Sequence, residues 1–167
     1  GTGLTALKPY AAEVFGRRAI YIAPDRDGTV EDDFWYWSDR RDGNLITDYL
    51  TQRESVQTAQ KDFLRAVKRY GEVLMLGKLH NVFFAVESDN PRRPFVQREL
   101  PTGMYRGPVS HHSVVEADSK LFWMGQASAY SCDRFGEITD IAGAFIRDII
   151  EGLDDDRREF IVGTFDA

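Results

Sequence analysis

TQRESVQTAQKDFLRAVKRYG, residues 51–71, carries the strongest helical pattern in the chain. Thr51 and Glu54 stand at capping-box spacing, where a hydroxyl and a carboxylate each satisfy a first-turn donor. Val56, Ala59, Phe63, Ala66, Val67 and Tyr70 recur at three- and four-residue steps and predict one apolar stripe. Lys61, Arg65, Lys68 and Arg69 crowd the C-terminal half, where positive charge meets the negative end of the helix dipole. Gly71 follows at the place of a left-handed C-cap. The stretch reads as a core helix.

On its N-terminal side, residues 4–15 (LTALKPYAAEVF) read as a short helix ended by Gly16. Residues 18–23 (RAIYIA) and 34–37 (FWYW) read as a strand pair with a long polar connection, and residues 45–50 as a short strand or a first helical turn. On its C-terminal side, residues 73–79 and 82–88 form a second hairpin about His80-Asn81. Residues 89–112 hold four of the six prolines, with an edge strand expected at 95–100. Residues 113–117 and 121–125 flank Asp118-Ser119-Lys120 as a third hairpin, its second strand extended by residues 126–130. Residues 137–151 read as another amphipathic helix and residues 160–165 as a closing strand. The expected architecture is one α+β domain over residues 1–167, a predominantly antiparallel sheet built from hairpins and packed against two or three helices.

Composition narrows the function classes. With 43% hydrophobic and 29% charged residues, the 167-residue chain has the balance of a folded protein. A formal net charge of −6 argues against sequence-independent nucleic-acid binding, which needs a surplus of cations. No apolar run approaches a membrane span, and the N-terminus GTGLTALKPY lacks the basic and apolar regions of an intact signal peptide. The chain starts without Met, which is consistent with a trimmed leader. One cysteine, Cys132, permits no internal disulfide and favours a reducing, cytoplasmic setting.

Two features point to binding. Phe34-Trp35-Tyr36-Trp37 projects aromatic rings from both faces of one strand, and Phe83-Phe84 and Phe122-Trp123 add two further clusters. Such rings combine apolar area with a polar handle and suit a pocket or an interface, so Trp35, Trp37 and Trp123 are candidate ligand contacts. The proline-rich loop brings Arg92, Arg93, Arg98 and Arg106, whose forked guanidinium groups suit carboxylate or phosphate.

Asp25-Arg26-Asp27-Gly28-Thr29 resembles the first motif of haloacid dehalogenase-type phosphatases. That resemblance implies Asp25 as the nucleophile on phosphorus, Asp27 as acid/base and a magnesium ion on the phosphate. Read from the residues alone, the same string is a hairpin connection with a glycine turn. Asp25, Asp27, Glu31, Asp32 and Asp33 together also present oxygen ligands of the kind hard cations take. His111 and His112 are adjacent, so in a strand they would face opposite ways. Cys132 precedes a predicted helix, where a thiol can be activated.

The leading expectation is a non-catalytic binding module that recognises a partner protein, or a small apolar or anionic ligand, through an aromatic sheet face and an Arg-bearing loop. A homodimer through the same face would fit, and neither cofactor nor metal is expected. The alternatives are a phosphatase-like hydrolase using Asp25 and Asp27, a site on His112 and Cys132, and a small-molecule pocket lined by Trp35, Trp37 and Trp123.

Overall fold

The computed structural model describes residues 8–26, 28–40, 52–56, 58, 62–101 and 106–164. Among these residues the regular secondary structure is mostly β, with one short α-helix, which overturns the α+β expectation. Three four-stranded antiparallel sheets follow one another along the sequence. The first has the order β1 (Ala11–Phe15), β2 (Arg18–Ile22), β5 (Phe34–Trp37), β6 (Arg53–Ser55). A small hairpin, β3 (Asp25–Arg26) with β4 (Thr29–Val30), fills the β2–β5 connection. The second sheet has the order β10 (Phe95–Glu99), β9 (Val82–Glu87), β8 (Val73–Lys78), β7 (Leu64–Tyr70). The third runs β11 (Val115–Ala117), β12 (Lys120–Met124), β13 (Ala129–Cys132), β14 (Ile138–Asp140). One α-helix, α1 (Ala144–Glu151), lies near the C-terminus among the described residues.

The second sheet is buried on both faces, and its residues explain why. Side chains alternate across a strand, so an apolar run with no polar alternation must be covered twice. Leu74, Leu76, Phe83, Ala85 and Phe95 join Ile20, Ile22, Trp35 and Trp37 of the first sheet in one core. Met75, Val82 and Phe84 join Leu121, Trp123, Tyr130 and Cys132 of the third sheet in another. The runs VLMLGK and VFFAVE are the middle layer of three.

The supposed central helix is where sequence and structure part. Of residues 51–71, Arg53–Ser55 pairs with β5 and Leu64–Tyr70 is the edge strand β7. Glu54, read as a capping residue, forms an ion pair with Arg93 at 2.6 Å; Thr51, Ala59 and Lys61 lie outside the described residues. The register of β7 against β8 shifts between Leu64 and Ala66. Leu64 therefore faces the first core and Ala66 the second, although strict alternation would put them together. Val67 then faces the first core and Tyr70 the second. A bulged strand buried on both faces thus spaces its apolar residues much as a helix would.

Other expectations are corrected in the same direction. Within residues 4–15, Ala11–Phe15 is strand β1, with residues 4–7 outside the described set. Residues 126–130 do not extend β12; the chain turns there, and Ala129–Cys132 returns as β13. Only Ala144–Glu151 of the second predicted helix is helical, because Gly143 starts it and Ile138–Asp140 pairs with β13. Of the closing strand expected at 160–165, Phe160 ends a 3₁₀ turn (Asp155–Phe160), residues 161–164 form no strand, and residue 165 lies outside the described set. The strands at 18–23, 34–37, 73–79, 82–88 and the edge strand at 95–100 correspond to β2, β5, β8, β9 and β10. Residues 45–50 lie outside the described set, and among the described residues no helix is long and apolar enough to cross a membrane.

One buried cation ties the first two sheets together. Lys78, at the end of β8, is completely buried. Its ammonium donates to an Asp33 carboxylate oxygen, to the Val56 carbonyl at 2.8 Å and to the Thr58 hydroxyl at 3.3 Å. Three donors meet three acceptors, which is the condition for a tolerable buried charge. The backbone reinforces the junction, since Val56 N–H donates to the Asp33 carbonyl at 2.7 Å and Leu64 N–H to the Asp32 carbonyl at 2.9 Å.

Candidate functional site

The third sheet carries an apolar face with no sheet behind it. Asp118 and Ser119, both at positive φ (46° and 58°), make the two-residue turn that brings Val115 opposite Phe122 and Ala117 opposite Lys120. The next register sets Met124 against Ala129. Alternation sends Leu121, Trp123, Tyr130 and Cys132 into the core. It sends Val115, Ala117, Phe122, Met124 and Ala129 to the opposite side together with Lys120 and Ser131, a more apolar set than is normal for a solvated face.

Residues 161–164 lie against that outer face. Gly163 N–H donates to the His112 carbonyl at 2.8 Å, and the Ser110 hydroxyl donates to the Ile161 carbonyl at 2.7 Å. A Cβ on Gly163 would sit 2.6 Å from Val115 Cγ2, so only glycine permits this approach. Between segment and sheet lies an apolar groove of about 390 Å³. Phe122, Met124, Ala129, Ile141, Ile161 and Val162 line it, with Ser113, Asp118 and Thr164 as the polar members. Its size and lining are those of a small-molecule site, in which a few polar groups orient a mostly apolar ligand.

The predicted tryptophans separate. Trp35 and Trp37 lie in the first core, with Phe95 at ring-centroid distances of 5.0 and 5.3 Å. They line neither groove described for this chain. Tyr36, on the other face of β5, is also fully buried; its hydroxyl donates to Glu31, and Arg53 donates to the same hydroxyl at 3.1 Å. The aromatic face is thus a double-sided core strand. Trp123 is buried too, its indole N–H donating to the Arg106 carbonyl at 2.7 Å, but it borders the groove.

The four predicted arginines do not converge. Arg93 pairs with Glu54 of the first sheet, while Arg98 donates to the Phe135 carbonyl beside the third sheet at 3.0 Å. Arg92 is exposed in the β9–β10 connection, and the Arg106 backbone anchors Trp123.

The acids of the β2–β5 connection are engaged locally. Asp25 accepts from Gly28 N–H at 2.8 Å at the β3–β4 turn, as a turn-capping carboxylate does. Asp27 lies outside the described residues. Glu31 accepts from Arg53 at 2.9 Å and Asp33 from Lys78, so both are neutralised by cations. Among the described residues no three His, Cys, Asp or Glu side chains gather as a metal site. His111 and His112 sit in a 3₁₀ turn, not a strand, and their rings meet at 5.2 Å; burial and the neighbouring His112 lower the His111 pKa.

Cys132 is buried, and desolvation, then the charge of Asp133, pushes its thiol from 9.0 up to about 12. A thiol so held is protonated and unreactive at neutral pH. The sign of the resulting pH dependence follows. Above about pH 9 the unfolded chain releases this proton while the folded protein keeps it, so stability falls as pH rises from 9 towards 12. Denaturant titrations of wild type and Cys132→Ala should differ less in stability at pH 10.5 than at pH 7.5. A constant difference would exclude the assignment.

No protein-family model matches the chain, and no curated protein matches it significantly. The groove on the third sheet, found in the alternating positions 115, 117, 122, 124 and 129, is what the sequence reading missed. Its signal was present, because β12 is apolar at both parities.

Proposed function

We propose that this chain is a non-catalytic binding protein whose ligand is a small, mostly apolar molecule held between the outer face of the third sheet and residues 161–164. The observation that carries this reading is the groove itself, about 390 Å³ of space bordered by Phe122, Met124, Ile141 and Ile161 where a solvated sheet face would be polar. A non-catalytic reading is supported by the engagement of the chemistry-bearing groups elsewhere. Asp25 caps a turn, Asp33 holds Lys78, and the Cys132 thiol is buried and protonated.

The experiment is a thermal-shift screen with apolar probes: 1-anilinonaphthalene-8-sulfonate, a medium-chain fatty acid and a planar aromatic hydrocarbon. A ligand of the folded state at 100 times its dissociation constant adds about 2.7 kcal/mol of stability, and at this size each kcal/mol moves Tm by roughly 2–4 °C. Ala129→Trp, which fills the groove from its floor, should abolish the shift while the protein stays folded. An equal shift in that variant would place the ligand elsewhere, and no shift with any probe would sink the proposal.

A further inference from the structure

A second groove, about 880 Å³, lies at the turn ends of the first two sheets. The β1–β2 turn (Gly16-Arg17), the β7–β8 turn (Gly71-Glu72) and the end of β9 (Val86-Glu87) border it, and Arg17, Arg40 and Arg69 all line it. Arg40 is held by Glu87 at 2.8 Å. Glu87 is itself seated on the turn, since a Cβ on Gly16 would lie 2.2 Å from its carboxylate oxygen. Arg17 and Arg69 are exposed, and among the described residues neither guanidinium has an ion pair or a hydrogen bond. The lining sets Arg17, Arg40 and Arg69 against Glu72 and Glu87, a small local excess of positive charge in a protein of net charge −6.

The backbone gives a second, independent reason. Gly16 and Arg17 have φ of 57° and 59°, between Phe15 and Arg18, which pair directly. A two-residue turn with both φ positive ordinarily takes glycine at its second position. Arginine there is conformationally disfavoured, as Ser119 is in the Asp118-Ser119 turn, and no hydrogen bond or ion pair of its side chain compensates. A strained residue without a structural return is a hypothesis of function.

We propose that this groove binds a small organic polyanion, a molecule carrying two or more phosphate or carboxylate groups. Arg17 and Arg69 would supply forked charge-assisted hydrogen bonds, with Arg40 oriented behind them by Glu87. Val14 and Val86, exposed on the same groove, offer apolar contact to the carbon part of the ligand.

Calorimetric titration with inorganic pyrophosphate and with citrate at low salt tests this and distinguishes phosphate from carboxylate as the group preferred. The expected result is 1:1 binding of at least one, weakening with added salt. Arg17→Gly and Arg69→Ala should each weaken it roughly tenfold or more. Arg17→Gly should at the same time raise Tm by about 2–4 °C, because the turn strain is relieved. Arg157→Ala, a change at a distant exposed arginine, should leave binding unaltered. The proposal is overturned if neither anion binds, if Arg157→Ala weakens binding as much as Arg17→Gly, or if Arg17→Gly lowers Tm and so reveals a structural role.

Discussion

Asp33→Ala lowers the unfolding free energy by about 3 kcal/mol, near the lower end of the range for removing one partner from a buried ion pair. The cost arises at Lys78, which is completely buried and keeps only the Val56 carbonyl and the Thr58 hydroxyl as acceptors. Asp33 itself is 45% exposed, so water partly replaces its carboxylate and holds the cost at that end. The diagnostic is the pairing. Lys78→Met removes the charge together with its desolvation penalty, leaving one neutral carbonyl short of a donor, and should cost less than Asp33→Ala. In a Lys78→Met background, Asp33→Ala should then be nearly neutral. Urea denaturation of the two single variants and the double variant reads this directly. Additive effects would mean that Lys78 and Asp33 do not act on each other.

Trp35→Ala is expected to cost about 3–5 kcal/mol, the range for removing a large aromatic side chain from a packed core. Trp35 is fully buried, with Trp37 at 5.1 Å and Phe95 at 5.0 Å between ring centroids. Its indole N–H has no acceptor among the described residues, so Trp35→Phe forfeits no hydrogen bond and should lose only the volume difference. Neither substitution should change the affinity of the groove on the third sheet for an apolar ligand, provided the protein is folded. Thermal denaturation gives the stability ranking. Weakened binding in a folded Trp35→Phe variant would return this tryptophan to the ligand site.

What the sequence made legible was the hairpins, and what it hid was the burial of both faces. β8 and β9 are short apolar runs bounded by turn residues, and their reading as strands needs no tertiary knowledge. Residues 64–70 mislead because the Leu64–Ala66 bulge and the two cores together erase alternation. Gly71 and Gly16 add to the error. In sequence each has the setting of a helix end, and each is instead a hairpin turn residue, at φ 56° and 57°. A helix C-cap and a tight hairpin ask the same left-handed conformation of the chain, so the glycine alone does not distinguish them.

The candidate site was hidden for a related reason. Phe34-Trp35-Tyr36-Trp37 drew attention as an aromatic face, yet it is sealed on one side by the second sheet and on the other by the Glu31–Arg53 pair. Phe122-Trp123 has the same appearance in sequence, but the third sheet is the outermost layer, so Trp123 enters the core while Phe122 borders the groove. Layer order decides which aromatic residues a ligand can reach, and layer order is a long-range property.

The most direct test is a solution NMR titration with the strongest binder from the apolar screen, following methyl and indole signals together. Binding in the groove predicts shifts at Val115, Met124, Ala129, Ile141 and Ile161, with the Trp35 and Trp37 indole signals unmoved. Shifts centred on Trp35 and Trp37, with the outer face of the third sheet silent, would contradict the placement of the site.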